Sequence, residues 1–356
     1  MHDCSRRGFG IIVGSGALAL SVGDALAAAK RGSEAAPRFD ILPYVHPELR
    51  AMVPVIEQMG SGSVNAATLP AMRRAAQTKS APSIEHGQMR MIPGPPNAPD
   101  VRIYILNTGT TRGARPAIVH MHGGGFVAGT AADGIATLQE IAGQLDCVIV
   151  TVDYRLAPET RFPGALEDNY AALRWLHGHA AELGVDPTRI AVMGESAGGG
   201  HAAMLAIAAR DRGEVPVVYQ ALTYPMLDDR TGSTRMPPAY QGALIWNAAS
   251  NRFGWSSLLG MQAGSAHVPF GSVPARLDNF KGLAPAFVGV GSIDLFVNED
   301  IEYARRLIDA GIGVDLHVVP GGFHGFDTMP TATIGKAYRA ALLSGLRLAF
   351  TPATGS

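Results

Sequence analysis

The sequence predicts a doubly wound α/β domain on a mostly parallel sheet, and three observations predict it. From about residue 100, β-type apolar runs alternate with segments of helical spacing, the pattern of strands joined by helical crossovers. Several of these runs are apolar almost throughout, as strands covered on both faces are. The 356 residues are 47% hydrophobic and 17% charged, which is enough apolar material for one large core.

In chain order the strand candidates are "VRIYIL", "PAIVHMH", "CVIVTVDY", "RIAVMGE", "PVVYQALTY", "PAFVGVGS" and "VDLHVV". Between them, residues 133–144, 164–182, 197–211, 298–310 and 331–348 have helical spacing. In the second of these, Leu166, Tyr170, Leu173 and Leu176 share one face, and Asp186-Pro187 follows the helix's end. Two segments break the alternation. Residues 40–90 carry the short amphipathic patterns "HPELRAMVPVIEQM" and "LPAMRRAAQTK", and residues 225–280 are marked by Trp, Met and Pro. Both are expected to form a helical lid over the sheet's C-terminal edge, where open α/β sheets bind ligands. The alternative is that they only cover exposed core.

Formal net charge is -1 and no run of Lys or Arg is long enough to track a phosphate backbone, so nucleic-acid binding has little electrostatic basis and is not expected. The expected partner is a small molecule. Only Cys4 and Cys147 are present, and Cys147 lies in the apolar run "CVIVTV", which predicts a reduced, buried thiol rather than a disulfide framework. No apolar stretch has transmembrane length, so stable membrane insertion is not expected. The nearest, "GFGIIVGSGALALSV" at residues 8–22, follows "SRRGFG" and precedes the small residues Ala25 and Ala27. Residues 1–30 therefore read as a twin-arginine export signal cut near Ala27 or Ala29, which places the protein in the periplasm. The alternative is a frayed N-terminus on a cytoplasmic protein. The domain proper is then 31–356, with no internal repeat and nothing that fixes the oligomeric state.

The stretch "VMGESAGGG" (192–200) sets Ser196 between glycines two positions away on each side. It falls where "RIAVMGE" stops and "AGGGHAAMLAIAAR" begins, the strand-to-helix turn that an exposed nucleophile requires. The competing reading is a glycine-rich turn that happens to hold a serine. A serine hydroxyl needs a base to take its proton. His317 lies inside the strand pattern "VDLHVV", whereas His324 lies in the loop "PGGFHGF" beyond that strand's C-terminal end and is the better candidate. The acid that orients the imidazole precedes the histidine in such folds. Asp294 directly follows "PAFVGVGSI", and its alternative role is to cap the helix starting near Asn298.

Upstream, "HMHGGGFVAG" ends a strand in Gly123, Gly124 and Gly125, whose amides can approach a reacting carbonyl closely. With the amide of Ala197 they make an oxyanion hole. His122 is expected to brace this loop, and a metal site at His120 and His122 lacks a third nearby ligand.

These residues resemble the bacterial hormone-sensitive-lipase-like (family IV) esterases of the α/β-hydrolase superfamily. The resemblance spans about residues 100–345 and rests on "HGGGF" (122–126), "VDYRLAPE" (152–159), "FPGALEDNYAALRWL" (162–176), "DPTRIAVMGESAGG" (186–199), Asp294 and "HGF" (324–326). It implies an α/β-hydrolase fold, with Ser196 as nucleophile, Asp294 as acid, His324 as base, and Gly124, Gly125 and Ala197 as oxyanion donors. It also implies a cap made from the N-terminal segment and the insertion after Tyr224-Pro225. The family's usual D-P-L around the acid reads Asp294-Leu295-Phe296 here.

The expected activity is hydrolysis of short- to medium-chain acyl esters through an acyl-enzyme on Ser196, without metal or organic cofactor. An amidase, lactonase or deacetylase on the same triad, and a non-catalytic ligand-binding protein on the same scaffold, are the rivals. Met52, Met59, Met226, Trp246, Phe253 and Trp255 are candidates for an apolar acyl pocket or for ordinary packing.

Overall fold

The computed structural model describes residues 39–59, 62–77, 83–84, 87–107, 113–329 and 332–351. The export-signal reading and Cys4 fall outside them. Eight strands form one sheet: β1 (Gln88–Ile92), β2 (Val101–Leu106), β3 (Arg115–Met121), β4 (Val148–Asp153), β5 (Val185–Glu195), β6 (Tyr219–Thr223), β7 (Ala286–Gly291) and β8 (Val314–Val319). Their order is β1-β2-β4-β3-β5-β6-β7-β8. The β1/β2 and β2/β4 pairs are antiparallel and all later pairs are parallel.

All seven strand candidates are strands. The eighth, β1, begins in the last three residues of the 40–90 segment read as lid and runs two residues past it, so that end of the segment belongs to the sheet. "QMRMI" has little β-branched character, and Met89 and Met91 are about half exposed. It is a strand because β2 supplies its ladder from Gln88↔Ile105 to Ile92↔Val101, so tertiary pairing overrides weak propensity.

Nine α-helices accompany the sheet among the described residues: α1 (Val53–Met59), α2 (Leu69–Gln77), α3 (Ile135–Leu145), α4 (Gly164–Gly178), α5 (Ala180–Leu183), α6 (Ala197–Arg212), α7 (Ala248–Leu259), α8 (Val297–Asp309) and α9 (Thr333–Phe350). Successive strand residues face opposite sides. Ile103, Val119, Val150, Val192 and Val288 meet α4, α6 and α8, while Ile118, Ile149, Ala191 and Phe287 meet α3 and α9. Both faces of the sheet are therefore buried at the central strands β3, β4, β6 and β7, which is why these read as nearly continuous apolar runs. Cys147 is buried, and burial pushes its thiol up to about 12, so it stays protonated and unreactive.

Two family blocks lock together. Asp168 of α4 is fully buried and takes the backbone N–H of Arg155 at 3.0 Å and its guanidinium at 2.7 Å. This fixes the loop after β4 against α4.

The two irregular segments meet each other and the strand ends. Val64 N–H donates to Ser250 Oγ at 2.9 Å, and Ser63 Oγ donates to Asn247 Oδ1 at 3.2 Å. Arg73 of α2 donates to the carbonyls of Val127 and Ala157, both at 2.7 Å. His46 N–H donates to Gly321 O at 3.0 Å, and Gly242 N–H to Ile293 O at 3.0 Å. The segments thus touch the loops that carry Gly125, Asp294 and His324.

Candidate active site

Ser196 stands between β5 and α6 at φ +58° and ψ -123°. A non-glycine residue holds such a conformation only where its surroundings over-determine it. Here Ser196 N–H donates to Thr223 O at 2.9 Å, and Ser196 O accepts from Met226 N–H at 3.0 Å and from Gly200 N–H at 3.1 Å. The turn lifts Oγ off the strand end into a nearly closed site, where Ser196 and His324 are each 7% exposed.

His324 follows β8 and reaches back across the sheet. Its Nε2 lies 2.9 Å from Ser196 Oγ, and its Nδ1 lies 2.8 Å from Asp294 Oδ2. Asp294 is fully buried beyond the end of β7, and its other oxygen, Oδ1, accepts from Phe296 N–H at 3.0 Å. The carboxylate thus orients the imidazole and also shapes the approach to α8. It is not that helix's N-cap, which is Phe296. His317, the histidine set aside, pairs with Asp315 at 2.8 Å and lies along Phe287.

The three glycines after β3 do different things. Gly123 N–H donates to Glu195 Oε1 at 3.1 Å, so that amide is unavailable to a substrate. Among the described residues no hydrogen bond claims the amides of Gly124, Gly125 or Ala197. Gly124 has φ +128° and Gly125 has φ +63°, and a Cβ at Gly124 would sit 2.0 Å from Ala128 O. His122 Nδ1 lies 2.7 Å from Gly123 O, a local contact within the loop. Attachment of the loop to the sheet comes instead from Tyr154 OH, which donates to His122 O at 2.6 Å, and from Glu195.

Glu195 was missed as a site residue although it lies inside the serine motif. Its Oε2 is 2.9 Å from His120 Nε2, and His120 Nδ1 is 2.9 Å from Thr151 Oγ1. A hydrogen-bonded chain therefore runs across β4, β3 and β5 to the glycine loop. Both ring nitrogens of His120 are occupied by it. Among the described residues no group of His, Cys, Asp and Glu is arranged to hold a metal ion.

Of the candidate pocket residues, Met226 and Trp255 are fully buried core. Met52 and Phe253 pack at the edges of the two core clusters, on opposite faces of the sheet. Trp246 meets the glycine loop at Gly125, and Trp255 meets its Phe126 edge-on with centroids 4.8 Å apart. A Cβ at Gly125 would lie 2.1 Å from the Trp246 ring, whose Nε1 donates to Asn251 Oδ1 at 3.2 Å. The side chain of Met59 lies outside the described residues.

Beneath the loop, His122 stacks on Tyr154 with centroids 4.3 Å apart, and Tyr154 meets His201 at 4.6 Å. Burial drives His201 down to about 3. The unfolded chain would take up a proton there near pH 6.5. Stability from a neutral His201 is therefore full above about pH 6.5 and is lost as pH falls toward 3, by about 1.4 kcal/mol per unit. Glu299 and Asp300, whose carboxyls burial pushes well up, act in the opposite sense. The expected result is thus a difference: in urea unfolding between pH 7 and 5, the parent loses about 1.4 kcal/mol per unit relative to His201→Leu below about pH 6.5. Parallel pH curves for the two would refute it.

A family model described as an alpha/beta hydrolase fold matches residues 118–328. Esterase LipI of Mycobacterium tuberculosis (strain ATCC 25618 / H37Rv) is 35% identical over 260 residues, covering 70% of this chain and 79% of its own. Carboxylesterase NlhH of the same strain is 34% identical over 239 residues, covering 64% and 71%. Among solved structures, a bacterial heroin esterase superposes with a TM-score of 0.80 at 36% identity, over 87% of this chain and 99% of that one. The chain belongs to the hormone-sensitive-lipase-like branch of the α/β-hydrolase family and is a serine hydrolase.

Proposed function

We propose that this hydrolase is a carboxylesterase for short- to medium-chain acyl esters, acting through an acyl-enzyme on Ser196. The observation that carries the reading is the continuous line Asp294–His324–Ser196, with hydrogen bonds of 2.8 and 2.9 Å, facing unclaimed amides. His324 Nε2 takes the hydroxyl proton as Oγ adds to the ester carbonyl. The amides of Gly124, Gly125 and Ala197 receive the oxyanion. His324 passes its proton to the departing alkoxide, then takes one from water as the hydroxide adds to the acyl carbon. Collapse of that second oxyanion returns the proton to Oγ and releases the acid. Asp294 holds the proton on Nδ1 throughout and stabilises the imidazolium. The names of the related esterases support ester hydrolysis.

The N-terminal segment up to α2 and the 225–280 insertion form the cap in this reading. Trp246 against Gly125 limits the room beside the oxyanion, which supports small acyl groups. Kinetics on p-nitrophenyl esters graded by acyl length test this. The expected kcat/KM peaks between two and eight carbons. A matched anilide hydrolysed faster than its ester would replace the reading with an amidase, and good turnover of insoluble triglyceride would make the protein a lipase.

Gly124→Ala is expected to lower kcat about a hundredfold or more. The new methyl would meet Ala128 O at 2.0 Å, and φ +128° is unfavourable to a side chain, so the loop must shift and its amide with it. Steady-state kinetics on the preferred ester check this, and a loss under tenfold would remove Gly124 from the hole.

A further inference from the structure

The turn after β6 touches both the nucleophile and the base. Thr223 O accepts Ser196 N–H at 2.9 Å, and Met226 N–H donates back to Ser196 O at 3.0 Å. Between these two contacts Tyr224 leaves the strand at φ +35°, a conformation that an aromatic residue adopts only under constraint. Its own N–H is held by Gly289 O at 2.6 Å. The bend delivers the buried Tyr224 ring against the His324 imidazole, with centroids 4.6 Å apart at 59°. The phenol donates to Asp327 Oδ1 at 2.9 Å, three residues beyond His324 in the same loop. The Asp327 carbonyl is in turn held by the Arg339 guanidinium from α9. A second ring, Phe296, meets the imidazole edge-on at 5.4 Å.

Backbone strain of this kind costs stability and is kept where a geometry is worth holding. We propose that Tyr224 is a positioning residue for the base: its ring and its bond to Asp327 keep His324 in the rotamer that places Nε2 on Ser196 Oγ. One strained turn then sets nucleophile and base in register, the first through backbone hydrogen bonds and the second through a side chain. The inference rests on the proposed roles of Ser196 and His324. During turnover the imidazole changes partners from Oγ to the leaving oxygen, and a displacement of about 1 Å at this step costs up to about a hundredfold.

The test is a set of variants at the clamp, read on the preferred ester. Tyr224→Phe keeps the ring and loses the bond, and should lower kcat about tenfold with KM unchanged within twofold. Labelling of Ser196 by an organophosphonate should slow by the same factor, and the downfield proton NMR signal of the Asp294–His324 bond should broaden. Asp327→Asn keeps an acceptor and should stay within twofold of the parent. Asp327→Ala should match Tyr224→Phe, and the double variant should be no slower than either. Parent-like kcat in Tyr224→Phe, additive losses in the double variant, or a loss carried by KM with the proton signal unchanged would each overturn the proposal. Should Tyr224→Phe fail to fold, the Asp327→Asn and Asp327→Ala pair decides by the same criteria. An active Ser196→Ala would instead remove the reading of the site on which the clamp rests.

Discussion

Asp294→Asn should lower kcat by about four orders of magnitude while leaving KM and the thermal midpoint near those of the parent. The direction follows from the two partners of the carboxylate. Oδ1 accepts the Phe296 amide at 3.0 Å, and Oδ2 faces His324 Nδ1 at 2.8 Å. An asparagine must present its carbonyl to the Phe296 N–H, which leaves its NH2 facing Nδ1. Nδ1 then accepts, the ring proton moves to Nε2, and Nε2 can no longer take the proton of Ser196. Packing is preserved because the two side chains are nearly isosteric. Steady-state kinetics with a thermal melt check it, and a loss below a hundredfold in a folded variant would show that Asp294 does not set the tautomer.

The parallel part of the sheet was legible because both its faces are buried. Runs such as "VIVTV" and "AFVGVG" are apolar almost throughout and buried at every position, and the amphipathic helices between them mark the crossovers. β1 was not legible. Its residues have little β-branched character and alternate around exposed methionines, and only the neighbouring β2 makes them a strand. Local pattern carries no record of a pairing decided by partners that stand from Ile92↔Val101 to Gln88↔Ile105, beyond the intervening turn.

The site divides along the same line. Ser196, Asp294 and His324 were legible because each sits within five residues of the end of a readable strand, and parallel strands bring those ends to one edge. The parts that aim them were not. Tyr154 sits in the quoted "VDYRLAPE" block with no site role assigned to it, yet its phenol holds the glycine loop through His122 O. Glu195 stands inside the quoted motif, but its value comes from reaching Gly123 and His120, 72 and 75 residues earlier. Tyr224 reads as the last residue of an apolar strand, and only the turn's positive φ shows that its ring leaves the sheet. The sequence marks where strands end; the cross-chain hydrogen bonds at those ends appear only once the sheet is assembled. Trp246 is a further case, because α7 and the turn before it have no pattern that registers them to Gly125.

Ser196→Ala should abolish ester turnover to within the background left by the oxyanion amides, a loss on the order of a million-fold in kcat. Among the described residues no other nucleophilic side chain is placed at His324 Nε2, so water would have to attack without the acyl-enzyme step. Labelling by an organophosphonate should vanish with activity. The same position offers a separate reading in stability. Ser196 sits at φ +58° and ψ -123°, and alanine inherits that strain whereas glycine relieves it. Both variants lose the hydroxyl and its bond to His324, so this term cancels between them. Ser196→Gly should therefore be more stable than Ser196→Ala by about 1 kcal/mol in urea unfolding, after the larger backbone entropy of unfolded glycine is subtracted. Equal stability would mean that the nucleophile turn stores no strain. Turnover within a hundredfold of the parent in Ser196→Ala would mean that the serine is not the nucleophile. The two measurements separate what the residue does for the reaction from what the fold gives up to hold it there.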